Sequence, residues 1–587
     1  MQDTLLTLGI LFVFALIGGI LAARFKQPIL LGLLLVGAVI GPNALGLIHD
    51  ANILSMMIDF GAILMLFVIG LEFDISKLKK IGLKAIVVGM LKSSIVVFVG
   101  FAVSLMLGLG VTASLFIGII LAFSSTVVIV KVLEEKDLMS RQEVPLLIAV
   151  LIIEDILAVI ILTFFSGIKD KSTGIFGSME SLAISMIALV AIYFIFVKFI
   201  KPILSWVLTH HKGEEIFTFT ALAMCAGFSY LAYCLKLSPA AGAFLAGSIV
   251  ASLPDAKVFE KVIAPYNLMI SSFFFIAVGT LINYTSIKTN IMIILILVLV
   301  VIITRLFSFG LIVYLFANFK GDKMFFSSIA MFSVGEFALL IAQESLNFNT
   351  GIDLISISAA IIFATAILMS LTLGHSDKLY APTKDSIPWK LRKKMDKFAD
   401  YIKAISEELD LENKYSRGLK KNMLKVLMAI TGIIIVIFGW REALEYSSYI
   451  NISNIGMLAG YFGTLAILTM LMFYFIFVMQ KIIKSLADIF ANATNSRANS
   501  NTVVKRAFAG FTLFGIGLLW PFAMFLFTLS AVWISVSGVL LILAFWQFHK
   551  ISASMDDNLD VVKNNFPKYR KIKFSDYADT ADDDARN

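Results

Sequence analysis

Residues 147–165 read Leu-Ile-Ala-Val-Leu-Ile-Ile-Glu-Asp-Ile-Leu-Ala-Val-Ile-Ile-Leu-Thr-Phe-Phe, a membrane-length apolar run with two adjacent carboxylates, Glu154 and Asp155, near its middle. An ionised side chain at the centre of a bilayer costs from about 3 to more than ~10 kcal/mol, so such residues usually mark an ion or proton pathway. Neighbours on a helix project about 100° apart, so the two carboxylates can face different partners. One can line a water-filled path while the other meets a cation on an adjoining helix.

Composition sets the context for that run. The chain has 587 residues, 59% hydrophobic and 15% charged, with a mean hydropathy of +0.93. A soluble protein carries about 25% charged residues. The chain therefore reads as an all-α polytopic membrane protein. Its net charge of +8 matters for where basic loops lie and gives no reason to expect nucleic acid. Residues 1–23 lack a basic n-region and a cleavage site before Arg24, which predicts a first transmembrane helix and no signal peptide. Cys225 and Cys234 lie nine residues apart on one expected helix, too far for a disulfide. With no CxxC or Cys/His cluster they read as small buried hydrophobes.

Runs of about 20 apolar residues predict thirteen spans in a first block, near 5–23, 28–46, 51–70, 83–107, 111–133, 144–166, 180–206, 215–235, 239–253, 262–282, 291–317, 325–345 and 354–374. Basic residues gather on alternate loops, from Arg24 and Lys26 through Lys77, Lys79, Lys80 and Lys84 to Lys320 and Lys323. Lys169, Lys171, Lys236 and Lys288 fall on the other side. The positive-inside rule then places the N-terminus outside and the end of the thirteenth span in the cytoplasm. The expected organisation is a transmembrane domain over 1–376, a cytoplasmic amphipathic linker over 377–422, a four-helix transmembrane region over 423–550 and a cytoplasmic acidic tail over 551–587. The four further spans, near 423–440, 455–479, 506–528 and 530–549, contain no midspan carboxylate. No strand–GxGxxG–helix unit follows residue 376, so no nucleotide-binding domain is expected.

Polar residues inside the first block are few and concentrated. The fifth span contains Ala122-Phe123-Ser124-Ser125-Thr126-Val127, and the twelfth Met331-Phe332-Ser333-Val334-Gly335-Glu336-Phe337. Helices interrupted near the midplane expose carbonyls and dipole ends that can hold a bare cation. Each break precedes the last helix of its set, the arrangement an inverted repeat leaves. The other reading of Ser124, Ser125 and Thr126 is interhelical hydrogen bonding. The eleventh span carries Arg305 too deep to snorkel, which predicts a buried anion from among Glu154, Asp155 and Glu336. Lys92 lies near the middle of the fourth span and receives no role. Asp59 is a secondary pathway candidate, and Glu72 with Asp74 reads as an interfacial cap.

These residues suggest a mechanism. A carboxylate that titrates in the working range holds a proton or a monovalent cation, not both. If its pocket opens alternately to the two sides, cation movement one way drives proton movement the other. Asp155 is the main ligand for the monovalent cation, with Thr126 and carbonyls at the break completing an oxygen shell. Glu154, Ser124 and Ser125 stand beside it. Arg305 and Glu336 are the charge-compensating pair of positions, since a guanidinium neutralises charge without releasing its proton.

Taken in order, thirteen spans, Ser124-Ser125-Thr126, Glu154-Asp155, Phe274-Phe275-Ile276-Ala277-Val278-Gly279, Arg305 and Gly335-Glu336-Phe337 resemble the monovalent cation:proton antiporter-2 family, the Kef-type and NapA-like exchangers. The resemblance covers about residues 1–376. It implies an NhaA-like fold of thirteen transmembrane helices with inverted repeats and two crossing broken helices, followed here by about four extra helices. It also implies a homodimer of the cell membrane working by elevator motion, with Asp155 indispensable, with Na⁺ or K⁺ and H⁺ as substrates and with no cofactor. Two positions depart from the family. Glu154 stands where the family has Asp, Gln or Asn, and Arg305 stands where Lys is common. A fixed Glu154–Arg305 pair would leave one carrying carboxylate and 1:1 exchange; two titrating acids would make exchange electrogenic. A sodium-coupled solute symporter would need a more polar or aromatic substrate pocket. A membrane sensor with a vestigial antiporter fold would show catalytic clusters in the last four spans, where His549 stands alone.

Overall fold

The computed structural model describes residues 2–25, 27–48, 51–72, 75–167, 213–235, 237–253 and 256–380, with scattered single positions elsewhere, and the elements among them are helical. The first half holds α1 (Gln2–Arg24), α2 (Ile29–Ile40), α3 (Ala51–Glu72), α4 (Ile75–Met106), α5 (Val111–Ala122), α6 (Thr126–Glu135) and α7 (Val144–Gly167). The second holds α8 (Glu214–Cys234), α9 (Pro239–Ala251), α10 (Ala256–Thr280), α11 (Tyr284–Thr289), α12 (Ile291–Thr304), a π-helical turn Arg305–Phe309, α13 (Gly310–Phe316), α14 (Asp322–Ala330), α15 (Phe337–Glu344), α16 (Leu354–Leu373) and α17 (Ser376–Tyr380). Among the described residues seven helices are long and apolar enough to cross a membrane. Helices occupy every expected span of the first block except 180–206, which lies outside the described residues. The linker 377–422 beyond Tyr380, the four further spans and the acidic tail lie outside them too, apart from scattered positions. The chain divides into two compact units, Met1–Pro388 with Leu518–Ile534, and Trp389–Gly517 with Ser535–Asn587. All the elements named here belong to the first.

Within that unit the helices pack in two sets. In one, α2 packs on α1 and α10, and α9 on α8 and α3. Glycines make these contacts possible, as expected where association depends on close packing of apolar surfaces. A Cβ at Gly37 would lie 2.2 Å from the Ile276 carbonyl oxygen, and one at Gly247 would lie 2.0 Å from that of Phe67. The same sequence offset relates Gly32 to Gly242, Gly37 to Gly247 and, elsewhere in the fold, Gly100 to Gly310 and Ser124 to Val334. The Gly32 and Gly100 contacts, with Gly18 and Gly118, recur at the same offset as those of Gly242 and Gly310 with Phe228 and Ser328, the pattern an inverted repeat would leave.

The other set, α4–α7 and α12–α16, carries the breaks. The helix α5 stops because Phe123 is extended (φ −92°, ψ 131°). The helix α6 starts because the Ser125 side chain caps it, accepting from the Val128 N–H at 3.2 Å. The second break spans Met331–Glu336, with Glu336 at the N-cap of α15. The two extended stretches lie against each other as an antiparallel bridge between Ser124 and Val334. The Ser125 N–H donates to the Ser333 carbonyl at 3.1 Å, and the Gly335 N–H to that of Phe123 at 3.0 Å. A Cβ on Gly335 would sit 2.7 Å from the Ser124 carbonyl oxygen, so the crossing requires glycine there.

Candidate ion-binding site

The crossing sorts backbone charge by sign. The C-terminal ends of α5 and α14 present carbonyls with no intrahelical donor and the negative end of each helix dipole. The N-terminal ends of α6 and α15 present the positive end. Side chains of opposite charge meet both.

On the carbonyl side, Arg305 is the main partner. It opens the π-helical turn between α12 and α13, a distortion common at functional positions. Its Nη1 donates to the carbonyls of Met331 and, at 2.8 Å, Ser333. Its Nη2 donates to those of Leu121 at 2.8 Å and Phe123 at 3.3 Å. One guanidinium thereby ties together both breaks. From α4, Lys92 Nζ donates to the Ala122 carbonyl and the Ser124 hydroxyl, each at 2.7 Å, and pairs with Glu154 Oε1 at 2.8 Å. The other Glu154 oxygen accepts the Ser124 N–H at 2.9 Å. Lys92, Glu154 and Arg305 are all 0% exposed.

On the amide side, the Thr126 hydroxyl at the start of α6 donates to Asp155 Oδ2 at 3.2 Å. The Ser125 hydroxyl donates to Glu336 Oε2 at 2.9 Å while accepting from Val128. Asp155, Thr126 and Glu336 are each partly exposed, whereas Ser124 and Ser125 are buried. In the second half the Val334 N–H donates to the Thr365 hydroxyl at 3.1 Å, where the Ser124 N–H of the first donates to Glu154. The arrangement offers two partly exposed carboxylates, each with a hydroxyl beside it, next to a sealed set of two cations and one carboxylate. This is chemistry for holding a small cation or a proton.

Residues 12–375, more than half of the chain, match the model of the family described as "Sodium/hydrogen exchanger, transmembrane". The chain belongs to the sodium/hydrogen exchanger family. It is similar to a Na(+)/H(+) antiporter of Enterococcus hirae, 31% identical over 57% of this chain and 88% of that protein. It is also similar to K(+) efflux antiporter 5 of Arabidopsis thaliana, 27% identical over 58% of this chain and 61% of that one. A third relative is the Na(+)/H(+)-K(+) antiporter GerN of Bacillus cereus, 29% identical over 63% of this chain and 96% of that protein. A solved structure, the sodium proton antiporter MjNhaP1 from Methanocaldococcus jannaschii, overlaps at a TM-score of 0.49 and 16% identity, over 64% of this chain and 99% of that one.

Against the family background the structure corrects the expected partner of Arg305. Sequence reasoning gives it a carboxylate and makes Glu154 the candidate for a fixed pair. The structure gives Arg305 four carbonyls and pairs Glu154 with Lys92. The physical reason is that carbonyls at two helix C-termini together do the work of an anion. Lys92, to which the sequence assigns no role, is the missed residue. A signal for it existed: a lysine and a glutamate both at midspan are too costly to bury apart. The structure brings Ser124, Ser125, Thr126, Glu154, Asp155, Arg305 and Glu336 to the one crossing. Asp59 is exposed on α3; Asp74 lies outside the described residues. Neither cysteine forms a disulfide; Cys225 is buried as expected, whereas Cys234 is exposed, which corrects its reading as a buried hydrophobe.

Proposed function

We propose that the protein is a secondary active antiporter exchanging a monovalent cation, Na⁺ or K⁺, for a proton. The observation that carries this reading is Asp155, a partly exposed carboxylate beside buried Glu154 near the middle of a membrane-length helix, with the Thr126 hydroxyl 3.2 Å away. The relatives' names point the same way, since they carry sodium, potassium and proton exchange.

In this mechanism Asp155 takes the cation or the proton in turn. A bare cation draws on the carboxylate charge and on the Thr126 oxygen; a proton on Asp155 removes that charge and releases the cation. Ser125 and Glu336 lie alongside as a second hydroxyl–carboxylate pair that balances charge as the load changes. The break segments are fastened to each other through Arg305, so the crossing moves as one body in an alternating-access, elevator-like cycle. The α1–α3 and α8–α10 set would be the static frame of a homodimer in the cell membrane, with the N-terminus outside and the C-terminus in the cytoplasm.

The test uses the purified full chain in liposomes with an entrapped pH dye. Adding Na⁺, K⁺ or Li⁺ should produce proton flux in wild type, and the preferred ion is read from the same traces. Wild-type protein that is monodisperse yet shows no flux with any of the three overturns the reading.

A further inference from the structure

We propose that Lys92 is a positioning residue that fixes Glu154 as a permanent counter-ion, leaving Asp155 as the only carboxylate of the Glu154–Asp155 pair that exchanges its load and setting a stoichiometry of one proton per cation. The inference rests on the antiporter reading and concerns which groups take part in the cycle.

What each atom has left to offer decides which carboxylate can exchange its load. A lysine ammonium has three donors. Lys92 has three oxygen neighbours, at Ala122, Ser124 and Glu154, each within 2.8 Å. Both Glu154 oxygens are also engaged, one by Lys92 and one by the Ser124 N–H. Neither side chain has any exposed surface. A cation arriving at Glu154 would have to displace a fully bonded ammonium from a dry site, and a proton would leave that ammonium uncompensated. Breaking a buried pair by removing one partner is strongly destabilising, whereas replacing both with neutral groups can be nearly neutral. Asp155, the next residue, has partial exposure and a hydroxyl neighbour instead.

The surroundings reinforce the assignment. Arg305 lies near the pair, attracting Glu154 and repelling Lys92. Its guanidinium is occupied by four carbonyls of the two breaks. Lys92 bonds to the same stretch from the other direction, through Ala122 and Ser124. The pair is thus part of the fastening that holds the break, in line with a positioning role.

The experiment measures the null point in proteoliposomes: the cation gradient at which proton flux stops, at fixed pH gradient, over a series of membrane potentials set with a lipophilic anion. One-for-one exchange moves no net charge, so the wild-type null point should stay put at every potential. If Glu154 also carried a proton, the null gradient would shift tenfold per 59 mV, and the inference would be overturned. Lys92→Met alone should lose at least tenfold in rate, because it strands Glu154. Adding Glu154→Gln should recover much of the rate and keep the null point independent of potential; a null point that moves in the double variant also overturns the proposal. Lys92→Arg gives a second reading. Arginine keeps the charge but cannot release its proton, so a folded Lys92→Arg protein should still exchange one for one. A folded but inactive one would mean that Lys92 must deprotonate in the cycle, which overturns a permanent pair. Absence of wild-type flux condemns the antiporter reading; flux with a mobile null point condemns only the role of Lys92.

Discussion

On one side of the helix crossing the carbonyl ends of α5 and α14 meet Lys92 and Arg305, and every charged group there is sealed. On the other, the amide ends of α6 and α15 meet Asp155 and Glu336, and both carboxylates keep some exposure. The two sides are built from the same broken helices and differ in burial, complete on the first and partial on the second. A charge sealed among its partners serves as structure, because changing its state strands them. A charge with a partner on one side and access on the other can change its load. The crossing puts the two kinds within a residue of each other, at Glu154 and Asp155.

The harshest way to break this comparison is Arg305→Met. It strands four carbonyls, and each buried acceptor left unsatisfied costs roughly 1–3 kcal/mol. The expected outcome is a large drop in thermal stability in detergent, or no folded protein, with Arg305→Lys intermediate because an ammonium has three donors for four acceptors. If Arg305→Met melts like wild type, the carbonyl side is not the structural one. Next comes Asp155→Asn. Removing the charge that balances a dehydrated cation costs about 3–5 kcal/mol, roughly a hundredfold to several-thousandfold in exchange, and the fold should survive because Asp155 is only partly buried. Cation-dependent flux measured beside a melting curve separates the two: Arg305 variants lose stability first, Asp155→Asn loses transport alone. Thr126→Val should act more weakly in the same direction. It deletes one hydrogen bond to a carboxylate, so the cation KM should rise about tenfold with little change in melting temperature.

Much of this contrast is legible in the amino-acid sequence. Spans follow from hydropathy, and both breaks follow from Ser124-Ser125-Thr126 and Gly335-Glu336 standing in apolar runs. Asp155 is legible because nothing apolar can explain it. The sealed side is harder. Lys92 and Glu154 carry opposite charges at midspan, yet linear spacing within α4 and α7 does not say which faces meet. For Arg305 the partner is invisible in principle, since it consists of backbone carbonyls that become acceptors only where two helices stop. The π-helical turn that aims Arg305 leaves no mark in Val301-Ile-Ile-Thr-Arg either. A sequence shows side chains that need partners; it does not show partners made by the fold.

The smallest effect belongs to Thr365, and it sharpens the comparison most. Its hydroxyl accepts the Val334 N–H much as Glu154 accepts that of Ser124, so each break is fastened by a side-chain acceptor, one neutral and one charged. The second-half acceptor is neutral and needs no Lys92. Thr365→Val is nearly isosteric and leaves one buried N–H without its acceptor, a loss of about 1–3 kcal/mol. Such a change should lower the melting temperature by a few degrees while the cation KM and the pH profile of exchange stay within about twofold, a shift worth less than about 0.5 kcal/mol. A large change in KM with unchanged melting would place Thr365 among the groups that sense the ion, and the division between a structural and an exchanging side would then fail in the second repeat.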